Sequence, residues 1–589
     1  MTREWKAAGL SAGASAAVVV MAATGVMLDN PGEIALADAA RSLAALTLLA
    51  VAIPILAAAT GVLRRFGYAF PIILFATFKF VGFQSTAEFF GLFDLAAVGA
   101  GLGGLALVSA AAIEPFRRRD PAKVAAFVFV VAASAAAASA GAVAFEQAQQ
   151  KPAARDAVAA ISGSLPSPIG RGVGGEGVGG EGADDTGCVR RLPSNWSVCK
   201  ASEGAAVPEP SPLSPLPMGE GDAVPASGLR SRDLPDIIYI VPDRYGAAGV
   251  LKAEYGHDNS AFIAALESRG FFVAKNARSN YPKTFQSLAS SMNMRNLDPL
   301  FAAMGPAAKD KTPLYALIRE NAVQRELRAL GYRYIHLGNW WEPTRKNPHA
   351  DENFYGLDNL WSKLNEFEHA LLRTTPVAFI ATYGGFVDRN ECARLKAQLD
   401  RLERARAASE KPMFVFAHLT MPHDPVTMDE AGRCIPHVYY PGPGATWDTY
   451  RAAYAGYVRY LNARLIEIFD ANRAFDNGRD MIFVIQADEG PYPKRLHLDG
   501  EMNLHDFTND EIRIKFGIIN AIYWDADQYG RPYATATPIN NWRIILSKIS
   551  GLDMPLIEDE RSILYRSDEF AYDGKDVTAV FRRATIAAN

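Results

Sequence analysis

The sequence lacks a large surplus of charge, and its few cysteines do not follow a metal-binding pattern. Its 589 residues include 60 Lys and Arg against 64 Asp and Glu, so the formal net charge is -4. A chain without a positive surplus gives no sign of nucleic-acid binding, and we expect none. The four cysteines, Cys188, Cys199, Cys392 and Cys434, lack zinc-finger spacing. In an oxidising compartment either neighbouring pair could form a disulfide, and the spacing leaves the pairing open.

Long uncharged segments are concentrated at the start of the chain, although 49% of all residues are hydrophobic. We predict five membrane spans, near Ala7–Leu28, Ser42–Leu63, Tyr68–Phe83, Leu95–Ile113 and Val124–Phe145. Most reach the roughly 20 apolar residues that a bilayer-crossing helix needs, while the third is short and contains Lys79. A buried helical bundle in a soluble protein is the alternative, and five such segments in a row favour the membrane.

The charges between these segments predict how the chain crosses the membrane. Positive residues occupy alternate connections, namely Arg3, Lys6, Arg64, Arg65, Arg117, Arg118, Arg119 and Lys123. The other connections are mainly acidic, with Asp29, Glu33, Asp38, Glu88 and Asp94. Because Lys and Arg favour the cytoplasmic side, we expect a cytoplasmic N-terminus and an extracytoplasmic, periplasmic remainder after five crossings. The first segment lacks a clear cleavage site, so we expect a multi-pass protein of the bacterial inner membrane.

Composition divides the chain into three parts. Residues 1–150 form the predicted membrane domain, residues 151–232 a Gly-, Pro- and Ser-rich segment, and residues 233–589 a globular domain. The middle part contains "SLPSPIGRGVGGEGVGGEGADD", which cannot bury enough apolar surface to offset chain entropy. We therefore predict a disordered tether between the membrane and the outer domain.

Apolar runs typical of buried strands alternate with helical segments after residue 232. The runs are "DIIYIVP", "YRYIHLG", "MFVFAHL" and "MIFVIQA", and the helical segments include Ser260–Arg269, Leu314–Leu330 and Tyr450–Asn472. This alternation predicts an α/β domain with a mostly parallel central sheet. Ligand sites in such sheets lie beyond the carboxyl ends of the strands, so we expect the chemistry there.

Acidic and imidazole side chains follow three of these strands. Asp243 follows the first strand, and Asp488 and Glu489 follow the last. His418 and His423 come at the end of the third. Paired acids at the mouth of a buried strand are costly unless a cation binds them, and a divalent metal is the partner we expect. Each acid taken singly is equally typical of a helix N-cap or a turn.

The order of several motifs resembles the sulfatase-like alkaline phosphatase superfamily. These motifs are "PDIIYIVPDRYG", "SNYPKTFQSLASSMN", "MFVFAHLTMPHDP", "VIQADEG" and "RIKFGIINA". Within the superfamily, the chain is most similar to the membrane-anchored branch that includes lipoteichoic acid synthase and phosphoethanolamine transferases. The resemblance covers most of residues 233 to 581 and implies an alkaline-phosphatase-like catalytic domain.

The resemblance also implies roles for residues that match the family's motifs. It implies a metal held by Asp243, Thr284, Asp488 and Glu489, with Thr284 as the catalytic nucleophile. Thr284 precedes "FQSLASSM", which fits a nucleophile at a helix N-terminus, where the helix dipole favours an anion. An ordinary N-cap threonine is the alternative, and the serines of this segment are rival nucleophiles.

Three further residues match positions at which the family binds substrate. They are His423, after "FAHLTMP", and Trp341 and Arg345 in "NWWEPTRKN". Arg345 could clamp phosphate oxygens in a fork geometry. Equally, Trp340 and Trp341 could be core residues and Arg345 a surface charge, while His418 suits a satisfied core histidine as well as a ligand.

Two departures from the family pattern affect the expected chemistry. "DEG", with Glu489 in the middle, stands where the family has Asp-His-Gly, so three carboxylates and a threonine oxygen would make an all-oxygen site. Such a site suits manganese, magnesium or calcium better than zinc, and the change also leaves an impaired site open. "KTFQSLA" lacks the C/S-x-P-x-R motif from which sulfatases make formylglycine, so we do not expect sulfate ester hydrolysis by that mechanism.

The combined expectation is a membrane-anchored, metal-dependent, sulfatase-like hydrolase or transferase. Thr284 would attack a phosphoglycerol- or phosphoethanolamine-type phosphoester, either lipid-linked or glycan-linked, at the outer face of the membrane. The alternative is a catalytically silent membrane protein of the same fold that binds a phosphorylated envelope glycan or a partner.

Overall fold

The computed structural model describes most of the membrane-proximal region and most of the globular domain. The described residues are 2–30, 34, 36–61, 64–80, 94–148, 152–163, 234–408, 411–442, 445–500, 502–524, 532–533, 535–551, 554–557, 561–567 and 570–581. Most of the predicted tether lies outside them, as do Cys188, Cys199 and the end of the third predicted span.

Among these residues, five helices lie in the region predicted to cross the membrane. They are α1 (Arg3–Asp29), α2 (Leu36–Thr60), α3 (Arg64–Phe78), α4 (Asp94–Arg118) and α5 (Pro121–Ala148). In the described part of the chain, three stretches are long and apolar enough to cross a bilayer, namely Arg3–Asp29, Ala39–Thr60 and Pro121–Ala144. The prediction of five spans is therefore corrected to three. Helix α3 has only 15 residues, fewer than a helix that crosses a bilayer needs.

Small side chains allow α1 to pack closely against its neighbours. Ala7, Ala8 and Ala14 of this helix are fully buried, and α1 contacts α2, α3 and α5. The Ser11 hydroxyl donates a hydrogen bond to the Tyr68 carbonyl oxygen over 3.1 Å. Small residues at such interfaces let helix backbones approach, which is how helices associate without a hydrophobic driving force.

The globular domain is built from helices and short strands that alternate along the chain, as the sequence predicts. Its helices are α6 (Pro152–Gly163), α7 (Ala248–Tyr255), α8 (Ser260–Ser268), α9 (Thr284–Ser291), α10 (Asp298–Met304), α11 (Thr312–Arg319), α12 (Ala322–Ala329), α13 (Glu342–Arg345), α14 (Leu360–Lys363), α15 (Glu366–Arg373), α16 (Pro376–Tyr383), α17 (Phe386–Glu403), α18 (Trp447–Ala474), α19 (Lys494–Leu498), α20 (Asn509–Phe516) and α21 (Pro538–Ser550). Short 3₁₀ turns cover Arg406–Ala408 and Leu504–Asp506.

Seven strands form one mixed, mostly parallel sheet. They are β1 (Asp236–Pro242), β2 (Phe272–Val273), β3 (Arg333–Leu337), β4 (Glu352–Phe354), β5 (Met413–Leu419), β8 (Met481–Gln486) and β9 (Asn520–Tyr523), in the order β2-β9-β8-β1-β5-β3-β4. The five neighbours from β8 to β4 pair in parallel, and β9 pairs antiparallel with β8. Two small hairpins complete the strands, β6 (Val426–Met428) with β7 (Cys434–Val438) and β10 (Ile563–Tyr565) with β11 (Gly574–Asp576).

The central strand β1 divides the hydrophobic core into two layers. Ile237, Tyr239 and Val241 point into one buried cluster, and Ile238 and Ile240 point into the other. A strand buried on both faces reads as a continuous apolar run, which is why "DIIYIVP" could be recognised in the sequence. Helices cover both faces of the sheet, so its carboxyl edge is left to form the site.

Helix α6 departs from the predicted start of the tether. It begins inside residues 151–232, yet Ala154, Ala157 and Ile161 are buried in the first core layer. The helix contacts α10 and α11 of the globular domain. Residues 152–163 therefore belong to the packed globular domain and not to the predicted tether.

A disulfide joins Cys392 in α17 to Cys434 in β7, with the Cα atoms 5.8 Å apart. Disulfides persist in oxidising compartments, which supports the expectation of an extracytoplasmic domain. The bond fastens α17 to the β6–β7 hairpin, and this part of the domain borders the site.

Candidate functional site

Three side chains from three adjacent strands meet at the carboxyl edge of the sheet. Asp243 follows β1, His418 lies near the end of β5 and Asp488 follows β8. Their ligand atoms all lie within 4.8 Å of one another, and His418 Nε2 is 3.5 Å from Asp243 Oδ2. The order β8-β1-β5 puts these strand ends side by side, so residues far apart in the chain become neighbours.

Each of the three side chains presents an atom that has no hydrogen-bond partner among the described residues. These atoms are Asp243 Oδ1, His418 Nε2 and Asp488 Oδ2, and all three side chains are buried. An unsatisfied buried polar atom costs free energy, so three of them together fit a missing common partner. Two carboxylates and an imidazole are ligands for a divalent metal, and this group supports one here.

Side chains behind His418 fix the orientation of its ring. Thr344 Oγ1 lies 2.9 Å from His418 Nδ1, and Asn339 Nδ2 donates to the His418 carbonyl oxygen over 3.0 Å. The Thr344 hydroxyl also donates to Asn339 Oδ1 over 3.2 Å. Asn339 Nδ2 also lies 2.9 Å from Nδ1, so Nδ1 is held by Thr344 and Asn339 while Nε2 is the ring nitrogen that faces Asp243 and the candidate metal position.

The two carboxylates are driven to opposite protonation states. Burial raises the pKa of Asp488 well above its usual range, and the neighbouring charges of Asp243 and Glu489 add to the effect. Burial also acts to raise the pKa of Asp243, but His423, His418 and Arg244 outweigh it and the pKa falls below its usual range. This divergence is the signature of two acids too close to ionise together, and a divalent cation between them would offset the repulsion.

Thr284, the nucleophile that the resemblance implies, lies beside this group. It is the first residue of α9 and lines the same pocket as Asp243 and His418. Its hydroxyl hydrogen-bonds to the Asp488 carboxylate and so favours the ionised acid. Of the rival serines, Ser287 donates to the Asp488 carbonyl oxygen over 2.6 Å and Ser290 donates to the Arg295 carbonyl oxygen over 2.6 Å.

Glu489 lies beside the three-residue group but is paired with cations. Arg244 Nε donates to its Oε1 over 2.9 Å, and Lys515 Nζ lies 2.9 Å from its Oε2. Burial lowers the pKa of Lys515 to about 7, even though the Glu489 charge opposes this. Glu489 is not one of the three side chains that share a possible metal position.

Cationic side chains line the pocket above Thr284. The pocket encloses about 180 Å³ and is lined by Arg244, Lys283 and Lys311 among others. The Arg244 guanidinium lies 3.7 Å from the centre of the Tyr492 ring, and Lys283 Nζ lies 4.6 Å from it and donates to the Tyr492 hydroxyl. We call this space the reaction pocket. Several cations around a hydroxyl nucleophile suit an anionic substrate group such as a phosphate.

The predicted substrate-binding residues divide into two groups. His423 and Trp341 line the reaction pocket. Arg345 is buried elsewhere, where its Nη2 donates to the Ser362 carbonyl oxygen over 2.6 Å and its guanidinium lies 5.0 Å from the Tyr355 ring. Trp340 is 37% exposed and also lines the pocket, so it is not a core residue.

Sequence reasoning passed over Arg244, Lys283 and Tyr492, and it left His418 undecided. Arg244 directly follows Asp243 and Lys283 directly precedes Thr284, so both sit at strand or helix ends that the pattern had marked. Tyr492 follows the acidic doublet by three residues. Their closeness in sequence to Asp243, Thr284 and Glu489 was the available signal, and it did not show where their side chains point.

No protein-family model and no curated protein matches this chain. Among solved structures, the C-terminal periplasmic domain of EcEptC from Escherichia coli matches with 12% identity and a TM-score of 0.37, over 59% of this chain and 93% of that chain. The integral membrane lipooligosaccharide phosphoethanolamine transferase A from Neisseria meningitidis matches with 12% identity and a TM-score of 0.37, over 92% of this chain and 95% of that chain. A protein in the alkaline phosphatase superfamily from Vibrio parahaemolyticus matches with 15% identity and a TM-score of 0.34, over 56% of this chain and 73% of that chain. Similarity at this level assigns neither a family nor residue roles to this chain.

Proposed function

We propose that this protein is a metal-dependent phosphoester enzyme in which Thr284 is the nucleophile. The observation that carries the proposal is the group of three unpartnered ligand atoms, Asp243 Oδ1, His418 Nε2 and Asp488 Oδ2, with Thr284 in the same pocket and its hydroxyl directed to the Asp488 carboxyl group. A threonine hydroxyl is a weak nucleophile unless its proton is lost more easily, and a bound divalent metal supplies that activation.

The substrate chemistry follows from the groups around Thr284. Thr284 Oγ forms a bond to phosphorus while the bond from phosphorus to the leaving alcohol oxygen breaks, and the proton that leaves the threonine hydroxyl is taken up by the leaving oxygen. The cations of the reaction pocket offset the charge on the remaining phosphate oxygens. In the second step a water or alcohol oxygen bonds to phosphorus, the bond to Thr284 Oγ breaks and the threonine hydroxyl is restored.

His423 is suited to move the proton in the second step. Its Nδ1 faces the carbonyl oxygen of Asp424 and so carries the proton of the neutral ring. Burial and the charge of Arg244 lower the pKa of His423. Nε2 is then the atom that can accept a proton from the incoming hydroxyl.

The ligand set favours zinc over the metals expected from the sequence. Manganese, magnesium or calcium were preferred because Glu489 was taken as a ligand in an all-oxygen site. With Glu489 paired to Arg244 and Lys515, the donors become two carboxylates, the imidazole of His418 and the Thr284 oxygen. Mixed nitrogen and oxygen donors in fourfold coordination are typical of zinc.

The proposed location is the outer face of the bacterial inner membrane. Three candidate spans with a cytoplasmic N-terminus put the globular domain on the periplasmic side, as five would have done. The disulfide between Cys392 and Cys434 supports an oxidising compartment. A domain held at the membrane fits a lipid-linked or envelope-glycan phosphoester as substrate.

The decisive experiment is to look for phosphate on Thr284. Full-length protein loaded with zinc is incubated with labelled phosphatidylethanolamine and with labelled phosphatidylglycerol, quenched in acid and analysed by peptide mass spectrometry. We expect a phosphoester adduct on Thr284 that is absent from Thr284→Ala and reduced in Thr284→Ser. Ser287→Ala is the matched control, because the Ser287 hydroxyl donates to the backbone carbonyl oxygen of Asp488 and not to its carboxylate.

The catalytically silent alternative rested on the acidic residue in place of the family's histidine. His418 offers an imidazole to the same group, so the change at Glu489 no longer removes the nitrogen ligand. Adduct on neither lipid, in protein shown to hold zinc, would favour the silent alternative over the enzyme.

A further inference from the structure

The apolar side chains that are exposed on the globular domain are concentrated on one part of its surface. Among the described residues of this domain, four of the exposed large apolar side chains fall between residues 360 and 386, namely Leu360, Val377, Ile380 and Phe386. The others are spread singly along the chain, at Trp340, Tyr439, Phe475, Leu498 and Leu556. We call the group of four the apolar patch. Scattered exposed apolar residues need no explanation, whereas a concentrated group marks a contact surface.

Neighbouring helices bring the residues of the apolar patch together. The ring of Trp361, which follows Leu360 in α14, stands edge to face with the Phe386 ring, and the two ring centres are 5.6 Å apart. Helix α16 carries Val377 and Ile380 and contacts α15 and α17. Because Val377 and Ile380 are three residues apart in a helix, their side chains lie on the same face, and they are 54% and 63% exposed. Helix α16 therefore turns an apolar face outward.

The sequence around α16 is typical of a segment that lies in a membrane surface. Between Arg373 and Asp388 the sequence contains no Asp, Glu, Lys or Arg. This uncharged run is shorter than the roughly 20 residues that cross a bilayer, and a run of this length is typical of a buried core helix or of an interfacial segment. The exposure of Val377 and Ile380 excludes the core helix. The interfacial segment is the reading that remains.

Helix α15 holds this region against those ends of the membrane helices that the proposed location puts at the outer face. Phe367 and Leu371 are buried in one cluster with Met27 of α1, Ala39 of α2 and Val143 of α5. Ala39 is the first residue of a candidate span, and Met27 and Val143 lie close to the ends of the other two. The cluster is therefore level with the boundary of the hydrocarbon layer, and α16 follows α15 directly in the chain.

Positive side chains flank the uncharged run. Arg373 at the end of α15 and Arg389 in α17 are exposed on either side of it. Cations beside an outward apolar face suit a surface in which apolar acyl chains lie beneath anionic head groups.

We propose that the apolar patch inserts into the outer leaflet of the lipid bilayer. Continuity favours lipid over a protein partner, because the patch continues the surface at which the globular domain meets the membrane helices. The globular domain is then held by lipid as well as by the membrane helices, which limits how far it can turn above the bilayer. None of the four patch residues lines the reaction pocket, so the inference goes beyond the proposed function and does not depend on it.

Nitroxide labels measure whether the patch lies in lipid or in water. Val377→Cys and Ile380→Cys are made singly in full-length protein that carries Cys188→Ser and Cys199→Ser, so that the remaining cysteines are those of the disulfide. Each protein is labelled and placed, one copy per disc, in nanodiscs of phosphatidylethanolamine and phosphatidylglycerol. Power saturation compares the access of oxygen, which concentrates among acyl chains, with the access of a polar nickel chelate, which stays in water. We expect the oxygen-to-nickel ratio at both positions to exceed that at a water-exposed position by at least about fivefold.

Phe475→Cys is the matched water-exposed control, because Phe475 is 41% exposed and precedes β8 at the amino end of the sheet. Adding Ile380→Glu should lower the ratio measured at Val377→Cys, whereas adding Ile380→Leu should leave it unchanged. Ratios at Val377→Cys and Ile380→Cys equal to that at Phe475→Cys would overturn the inference. Low access of both reagents would also overturn it, since one copy per disc leaves only this chain to cover the patch.

Discussion

The reaction pocket shares a wall with a second cavity, which we call the junction cavity, but different groups line the two spaces. The reaction pocket encloses about 180 Å³ and presents Arg244, Lys283 and Lys311 together with Asp243 and Glu489. The junction cavity encloses about 290 Å³ and is lined by the aromatic rings of Trp340, Tyr355 and Trp361 and by several acids. Three of these acids are paired, since Asp424 contacts Arg244, Glu391 contacts Arg394 and Asp388 contacts His437. Among the described lining residues, the cations are therefore concentrated on the Thr284 side of the shared wall.

The contrast also shows how buried charge is held near the nucleophile. Arg244 is fixed between Asp424, at 2.7 Å, and Glu489, at 2.9 Å. A buried guanidinium without such partners would pay a large desolvation cost. Glu489 therefore positions two cations of this region, Arg244 and Lys515, through its carboxylate oxygens.

The largest effect is expected from removing the nitrogen ligand of the reaction pocket. His418→Ala should lower zinc affinity by more than about 100-fold, because losing only the groups behind a ligand already costs roughly 10- to 100-fold. Zinc bound to the purified full-length protein is measured by plasma mass spectrometry, with affinity from chelator competition.

Glu489→Gln is the matched control for that measurement. It should keep its zinc but lose about 3–5 kcal/mol of stability, because Lys515 and Arg244 lose a buried partner. Loss of zinc in Glu489→Gln with retention in His418→Ala would restore the ligand set first expected from the sequence.

A smaller effect, on the rate of adduct formation, should distinguish Arg244 from Arg345. Arg244→Lys should slow formation of the Thr284 adduct by about 10²-fold, the usual cost of removing one preorganised charge-stabilising donor. Arg345→Lys should leave that rate near wild type, because Arg345 is directed to the Ser362 carbonyl oxygen outside the reaction pocket. Quenched-flow measurement of adduct formation compares the two variants. An equal loss of rate in both would show that Arg345 acts on the substrate, as the resemblance implies.

The strands could be predicted because each is buried on both faces. The four predicted runs coincide with β1, β3, β5 and β8 within a residue or two at their ends. The prediction of a single helix over Leu314–Leu330 was wrong, because this segment forms two helices, α11 and α12. The Asn321 side chain accepts a hydrogen bond from the Gln324 backbone and starts α12, which ends the apolar periodicity of α11.

The site could be predicted only as far as strand ends reveal it. Asp243 and Asp488 directly follow strands that the sequence predicted, whereas Thr284 was named through the family resemblance and opens α9. The role of Glu489 was not recognisable, because its partner Lys515 lies in a later helix and a sequence does not show which charges meet. His418 required the order of the sheet, since only the pairing of β1 with β5 brings it to Asp243.

The smallest effect is expected from opening the disulfide on the junction-cavity side. Cys392 lies in α17 beside the lining residues Asn390 and Glu391, and Cys434 holds that helix to β7. Cys392→Ser combined with Cys434→Ser should lower Tm by about 5–10 °C, since such cross-links stabilise by about 2–4 kcal/mol. The double variant Cys188→Ser with Cys199→Ser is the control, because it removes two other cysteines and leaves the bond between Cys392 and Cys434 intact. Adduct formation on Thr284 should change little, because Asp243, His418 and Asp488 come from strands that the disulfide does not join. A loss of adduct as large as that expected of Arg244→Lys would mean that the two spaces behave as one mechanical unit.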